Sequence, residues 1–465
     1  VTRRKQQNAY ATITGQSLVH TEAAKNGFSA TLARTHRLIT EETEDHQLLE
    51  KILGRDNMFA ALARVEKNNG AAGVDGMEVK DLRTFLKAEW SGIRDKILAG
   101  SYRPSPARRV EIPKPGGGTR LLGIPTVLDR LIQQAMLQNL SPIFDPDFSS
   151  HSYGFRPGKS AHMAVKSALD YQKQGYHFVV DIDLEKFFDR VNHDILMHLV
   201  SRKVKDARVL RLIRSYLSSG IMADGIVSAS REGTPQGSPI SPLLSNIMLD
   251  VLDKELERRG HKFCRYADDQ NIYVKTQRAG ERVFVSVTKF LATKLRLHIN
   301  EAKSAVDWAW KRKFLGYSFL GVKAPKLRIS KEAITRFKGK VKEITRGHRS
   351  QNIQDRVLGL STYLTGWMAY FRLAETHKKF KDLDSWIRHR LRMCMLKQWR
   401  KPRTRVRNLI ALGLPLDQAR MYGTGKKYWF LADTKWINFT LNNAFWEKMG
   451  YKSLEKLHLQ LRQVP

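Results

Sequence analysis

Four aspartates fall in two short apolar settings. Asp181 and Asp183 lie in Phe178-Val179-Val180-Asp181-Ile182-Asp183, and Asp268 and Asp269 close Phe263-Cys264-Arg265-Tyr266-Ala267-Asp268-Asp269. Side chains alternate along a strand, so Asp181 and Asp183 project from one face. Carboxylates crowded in this way repel one another unless a cation compensates them, and Mg²⁺, a hard oxygen-seeking ion, is the physical match. The downstream run continues as Gln270-Asn271-Ile272-Tyr273-Val274 and reads as strand, tight turn, strand. Such a hairpin would lift Asp268 to meet Asp183 across one or two metal ions, which is the requirement of two-metal nucleotidyl transfer.

Several elements must position these acids. Between them, Gly233-Thr234-Pro235-Gln236-Gly237-Ser238-Pro239 leads into an apolar helix running towards Leu256. Glycine permits close backbone approach, and Gln236 can hydrogen-bond a base or sugar edge without adding charge, so this loop is expected to wall a templated nucleotide pocket. An ordinary loop and helix start has the same composition. Upstream, residues 108–120 read as a strand, a glycine turn and a second strand, with Lys114 and Arg120 flanking the turn where they could neutralise a triphosphate. A solvated basic hairpin is the competing reading. The Walker spacing is absent, which argues against a P-loop ATPase or helicase. Met58, Leu62 and Val65 predict a helix stopping at Gly70. Leu358, Leu360, Leu364, Trp367, Tyr370 and Phe371, then Trp386, Ile387, Leu391, Leu396 and Trp399, predict helices with one packed side and a cationic one. His193, His261 and His298 read as surface, capping or packing residues rather than zinc ligands.

With 465 residues the chain is expected to hold about three domains. Its 81 Lys and Arg against 45 Asp and Glu give +36, which suits a polyanionic partner. Cys264 and Cys394 are the only cysteines, too few for a disulfide framework or a cysteine-rich zinc module. No signal-peptide pattern opens the chain and no apolar run approaches the roughly 18 residues of a membrane span. An intracellular protein is expected, and Val1 leaves the native start open.

Together, Tyr266-Ala267-Asp268-Asp269, the basic hairpin, the Asp183 segment, Thr234-Pro235-Gln236-Gly237 and Phe314-Leu315-Gly316-Tyr317, in that set and order along about residues 55–420, resemble the group II intron-encoded reverse transcriptases and maturases. The resemblance implies an α+β right-hand polymerase fold. An N-terminal arm would span 1–54, fingers and palm 55–305, a helical thumb or X domain 306–400, and a basic DNA-binding extension 401–465. It makes Asp183 and Asp268 the metal ligands, with Asp269 beside them in the catalytic set. Asp181 is the weaker choice, because Phe188 lies five residues beyond Asp183, where such polymerases carry the side chain beneath the incoming sugar. Lys114 and Arg120 would contact the triphosphate, and Gln236 and Gly237 the nucleotide and template pocket. Mg²⁺ or Mn²⁺ and dNTPs are the implied cofactor and substrates. Structured group II intron RNA, a primed RNA template and target DNA are the implied partners, in a bacterial cytoplasm and without a membrane. Residues 314–317 resemble the family's primer-supporting turn, and Lys401-Pro402-Arg403-Thr404-Arg405-Val406-Arg407 its DNA-contacting extension. A C-terminal zinc-bearing endonuclease module is not recognisable. A non-catalytic splicing chaperone and a host-defence reverse transcriptase are the alternatives.

Overall fold

The computed structural model describes residues 47–113, 119–223, 226–228, 232–234, 237–321, 323–346 and 351–463. Most of the expected arm, Lys114 and Gln236 lie outside the described residues, as does the side chain of Arg120. The first described elements are the helices α1 (Leu48–Ile52), α2 (Arg55–Asn68) and α3 (Leu82–Leu98). As the helical spacing predicts, Met58, Leu62 and Val65 of α2 are buried. The stop is made one residue earlier than Gly70, by Asn69 in left-handed backbone (φ 40°). Asparagine tolerates that conformation better than other side-chain-bearing residues, because its short polar side chain can hydrogen-bond locally.

Strands β1 (Ala107–Pro113) and β2 (Thr119–Ile124) pair antiparallel, from Arg108↔Ile124 to Pro113↔Thr119. Next come α4 (Val127–Phe144), α5 (Ala161–Lys173), β3 (Phe178–Ile182), α6 (His193–Ser201) and α7 (Ala207–Ser218). The short strands β4 (Ile221–Ala223) and β5 (Ile226–Ser228) return to the first hairpin, giving the order β2-β1-β4-β5 with β4 parallel to β1. The second sheet is built from β3, β6 (Lys262–Tyr266), β7 (Asp269–Val274) and β8 (Ala305–Trp308), in the antiparallel order β6-β7-β3-β8. Helices α8 (Ser241–Arg258) and α9 (Gln277–Phe290) share one core with its lower face, where Val180, Ile182, Phe263, Ile272 and Val274 point. Val179, Cys264 and Tyr273 point the other way into a second core. Period-two alternation thus divides β3, β6 and β7 between two cores.

That second core continues through the hairpin β9 (Tyr317–Leu320) and β10 (Lys326–Ile329) into α10 (Lys331–Ile344), α11 (Ile353–Phe371) and α12 (His377–Gln398). The buried stripe on α11 is Val357, Leu360, Leu364, Met368 and Phe371. Leu358 and Tyr370, expected on the packed side, are 49% and 37% exposed, because they fall off that 3.6-residue stripe. The remaining helices are α13 (Pro402–Ala411), α14 (Leu416–Thr424), α15 (Tyr428–Leu431), α16 (Lys435–Thr440), α17 (Asn443–Lys448) and α18 (Leu454–Gln463). Their Leu409, Ile437, Leu441, Trp446 and Leu454 belong to the same core as α11 and α12. The Asp384 carboxylate on α12 fastens α18. It accepts from Tyr451 Oη at 2.6 Å, Ser453 Oγ at 2.7 Å and the amides of Leu454 and Glu455 at 2.9 and 3.0 Å.

One cation expected among the DNA contacts has another job. Arg405 is 2% exposed and donates to the carbonyls of Gly423, Trp399 and Arg400, so it ties together the chain around α13 and α14.

Candidate active site

The β6–β7 turn is two residues long, since Tyr266 pairs with Asp269 across it. Ala267 takes left-handed backbone (φ 59°), at a turn position where glycine is the usual residue. This raises Asp268 at the tip and starts β7 with Asp269 on the face carrying Asn271 and Tyr273. On the neighbouring strand β3, Asp181 faces Asn271 directly. Asp183 stands just past the strand's end, where its amide donates to Ser304 Oγ at 3.0 Å and its carbonyl accepts from the Asn300 amide at 2.7 Å.

The acids differ in surroundings. Asp183 keeps a 43% exposed side chain, with Lys303 Nζ 3.8 Å from Oδ1. Asp181 is enclosed (15% exposed) and clasped by Arg312, through Nη2 at 2.7 Å and Nε at 2.9 Å. The Asn271 amide, turned so that its nitrogen faces acceptors, donates to Asp181 Oδ1 at 3.1 Å. Burial raises the Asp181 carboxyl pKa, and the Arg312 charge opposes the rise. For Asp269, burial comes first and the negative charges of Asp181, Asp268 and Asp183 follow, pushing its carboxyl up to about 8. Asp181 has its cation in Arg312, and Asp183 and Asp268 are partly exposed.

The donor set suits Mg²⁺ or Mn²⁺: carboxylate oxygens, no sulfur, no imidazole. Among the described residues no group of three His, Cys, Asp or Glu side chains encloses an ion by itself. A Mg²⁺ ion commonly takes one or two carboxylates and completes its shell with substrate phosphates and water.

Gly233, Thr234 and Gly237, expected to wall the nucleotide pocket, pack closely against neighbouring backbone. Phe188 is half-buried and packs edge-on against buried Phe187, with centroids 5.3 Å apart. Its carbonyl accepts from the Thr234 amide at 2.6 Å. A Cβ on Gly233 would stand 2.9 Å from the carbonyl oxygens of Phe188 and Asp189. Gly237 (φ 120°) presses on β2, where a Cβ would meet the Gly123 carbonyl oxygen at 2.9 Å. The loop therefore bridges the first sheet and the acid-bearing one through close approaches that a Cβ would block. Buried His193 braces it through Nε2 to the Gly233 carbonyl, at 2.7 Å.

On the opposite side, the turn at Leu315 and Gly316 takes left-handed backbone at both residues (φ 52° and 79°). The Leu315 carbonyl accepts from Tyr370 Oη at 2.8 Å, and Tyr317 Oη donates to the Tyr370 carbonyl. Tyr370, Trp367, Tyr363 and Arg336 line a cleft of about 540 Å³ beside this turn. Burial, and then the charges of Tyr266 and Asp269, raise the Tyr370 hydroxyl pKa.

Sequence reasoning named the acids, Phe188 and Gly237, and did not name Arg312, which clasps Asp181, or the buried ion pair of Arg265 and Asp253.

Residues 112–319 match the family described as Reverse transcriptase (RNA-dependent DNA polymerase), and residues 334–411 match Group II intron, maturase-specific domain. Protein YkfC of Escherichia coli is 35% identical over 301 residues, covering 56% of this chain and 79% of YkfC. The group II intron-encoded protein LtrA of Lactococcus lactis is 33% identical over 225 residues, covering 48% of this chain and 37% of LtrA. The putative COX1/OXI3 intron 1 protein of Saccharomyces cerevisiae is 28% identical over 294 residues, covering 61% of this chain and 34% of that protein. The chain thus matches about a third of the length of these two intron-encoded relatives. Among the described residues no helix is long and apolar enough to cross a membrane. The α+β fold with its acid-bearing sheet is a right-hand polymerase fold, and the chain belongs to the group II intron reverse transcriptase and maturase family as an RNA-directed DNA polymerase.

Proposed function

We propose that Asp183 and Asp268 hold the divalent ions of nucleotide addition, with Asp269 supporting them, and that the chain copies intron RNA into cDNA and assists the splicing and mobility of its intron. The observation that carries the site is the crowding of Asp183, Asp268 and Asp269 at the open ends of paired strands, with Asp181 already neutralised by Arg312. When bound, Mg²⁺ would activate the primer hydroxyl and offset triphosphate charge. The primer 3′ oxygen forms its bond to the α-phosphorus as the bond to the leaving pyrophosphate oxygen breaks. The chain's own residues align the reactants. Phe188 crowds the sugar's 2′ position and favours dNTPs, and Gly237 keeps the wall close to the nucleotide. Lys114, Arg120 and Gln236 complete the nucleotide contacts in this reading. The cleft of Tyr363, Trp367, Tyr370 and Arg336 receives the primer strand beside residues 314–317. The basic thumb and the extension beyond residue 400 grip structured intron RNA and target DNA.

Purified protein with a primed RNA, dNTPs and Mg²⁺ is expected to extend the primer, and EDTA to abolish extension. Folded protein that binds the RNA tightly yet extends nothing across a range of Mg²⁺ and Mn²⁺ concentrations would favour the chaperone reading.

A further inference from the structure

The acidic turn rests on charge that lies wholly inside the protein. Arg265 and Asp253 are both 0% exposed. The Arg265 guanidinium donates from Nε and Nη2 to the Asp253 carboxylate at 2.6 to 2.9 Å. Its remaining nitrogen, Nη1, donates to Asn246 Oδ1 at 2.8 Å and to the Ala267 carbonyl at 3.0 Å. The Asn246 amide donates in turn to the Gly154 carbonyl at 2.9 Å. Gly154 lies so close to the turn that a Cβ there would stand 2.3 Å from the Ala267 nitrogen. Residues 151–153 run alongside β6, with Arg265 N donating to the His151 carbonyl at 3.0 Å and Tyr153 N to the Arg265 carbonyl at 2.9 Å.

A buried ion pair is a poor source of net stability, since well-packed apolar residues of equal volume commonly serve as well or better. Apolar packing could not donate to the carbonyl of a residue held in left-handed backbone. We propose that Arg265, oriented by Asp253 and Asn246, is a positioning residue for nucleotide addition: it fixes the strained Ala267 peptide and thereby sets where the Asp268 carboxylate stands relative to Asp183. This rests on the reading of Asp268 as a metal ligand. Lysine cannot replace it, because a single ammonium on a flexible stem cannot fork between Asp253 and the Ala267 carbonyl.

The test uses the full chain carrying Arg265→Lys or Asn246→Ala, the latter leaving the Arg265–Asp253 pair in place. Asp206→Asn, which weakens a buried helix cap accepting from the amides of Leu49 and Arg208, controls for lost stability alone. Mn²⁺ affinity is read without nucleotide by electron paramagnetic resonance, beside melting temperature, primed-RNA affinity, kcat and the dNTP KM. Both test variants are expected to weaken Mn²⁺ binding and lower kcat by about tenfold or more, the usual cost of removing a residue that orients a metal ligand. Their primed-RNA affinity should be unchanged, and Asp206→Asn should lower melting temperature without moving Mn²⁺ affinity. Wild-type Mn²⁺ affinity and kcat in Asn246→Ala would overturn the proposal, even where Arg265→Lys fails to fold. An equal fall in Mn²⁺ affinity in Asp206→Asn would overturn it too, by reducing the effect to stability. A wild-type chain that binds Mn²⁺ but extends no primer would instead sink the polymerase reading.

Discussion

Neighbouring carboxylates in this site differ in what neutralises them. Asp181 is clasped by Arg312, whereas Asp183 is 43% exposed with the Lys303 ammonium at 3.8 Å. If Asp183 holds a divalent ion as proposed, Asp183→Asn is expected to lower kcat for primer extension by about 10³-fold or more, because it would remove a metal ligand needed in the transition state. Primed-RNA affinity should stay within about twofold, since the thumb and fingers rather than this acid would carry the RNA. Full extension by Asp183→Asn in a single-turnover assay would refute the assignment. Phe188→Ala should instead spare dNTP addition and raise ribonucleotide use by about tenfold or more, the scale of a steric pocket contact. Competing dNTP and rNTP incorporation on one template checks this. Both acids and phenylalanine were legible in the sequence, because an acid in an apolar strand contradicts its surroundings and needs a reason. Arg312 and Arg265 were not legible. In a chain with 81 Lys and Arg, nothing in the sequence marks the few cations that fold inward.

At the scale of elements, the chain at Gly233 and Thr234 is tied to the start of α6 and to the segment after β3. His193 opens α6 and braces the Gly233 carbonyl, while Thr234 binds the Phe188 carbonyl. Burial is the main cause that lowers the His193 pKa, so the unfolded chain takes up a proton there before the folded chain does. The stability it contributes is present above about pH 6.5, the unfolded value, and is lost as pH falls from there towards the lowered folded pKa. His151, His261 and His458 are shifted the same way and add to this slope, whereas the raised carboxyls of Asp269, Asp181, Asp129 and Asp250 act against it, because the folded chain takes up their protons first. His193→Gln should remove one share of this slope. Urea midpoints for both proteins at pH 7.5 and 5.5 test it, and identical slopes would count against His193. The elements themselves were largely readable: both hairpins, the strand before Asp183, and the helices carrying Leu256 and the 350–400 stripe fall where periodicity and turn residues put them. Less readable was the identity of the stops, since Asn69 rather than Gly70 turns the chain. Strand pairing over long separations was also hidden, because β4 joins β1 from more than a hundred residues away.

Across the whole molecule, the segment beyond residue 400 shares its core with the thumb. Trp446 is 0% exposed, and Asp384 binds four donors around the start of α18. Asp384→Ala would leave buried donors unmatched and should cost about 3 kcal/mol or more of stability, with loss of thumb order before palm order. Hydrogen exchange resolved by segment would show α11, α12 and α18 opening together; independent opening of α18 would contradict the shared core. This coupling bears on RNA recognition. A net charge of +36 alone gives salt-dependent affinity for any polyanion and little discrimination. A thumb and extension joined by one core can present their cations in a fixed arrangement, which would let them meet separated parts of one folded RNA. Binding of the intron RNA flanking the native gene is therefore expected to exceed that of a length-matched duplex or a misfolded mutant intron, and Asp384→Ala is expected to erase the difference while keeping the salt dependence. Rising salt should weaken all complexes, yet the intron preference should persist while binding stays measurable. Equal affinity for the three RNAs, with no help to splicing at limiting Mg²⁺, would defeat the maturase role and leave reverse transcription, the chemistry of the acids, standing on its own.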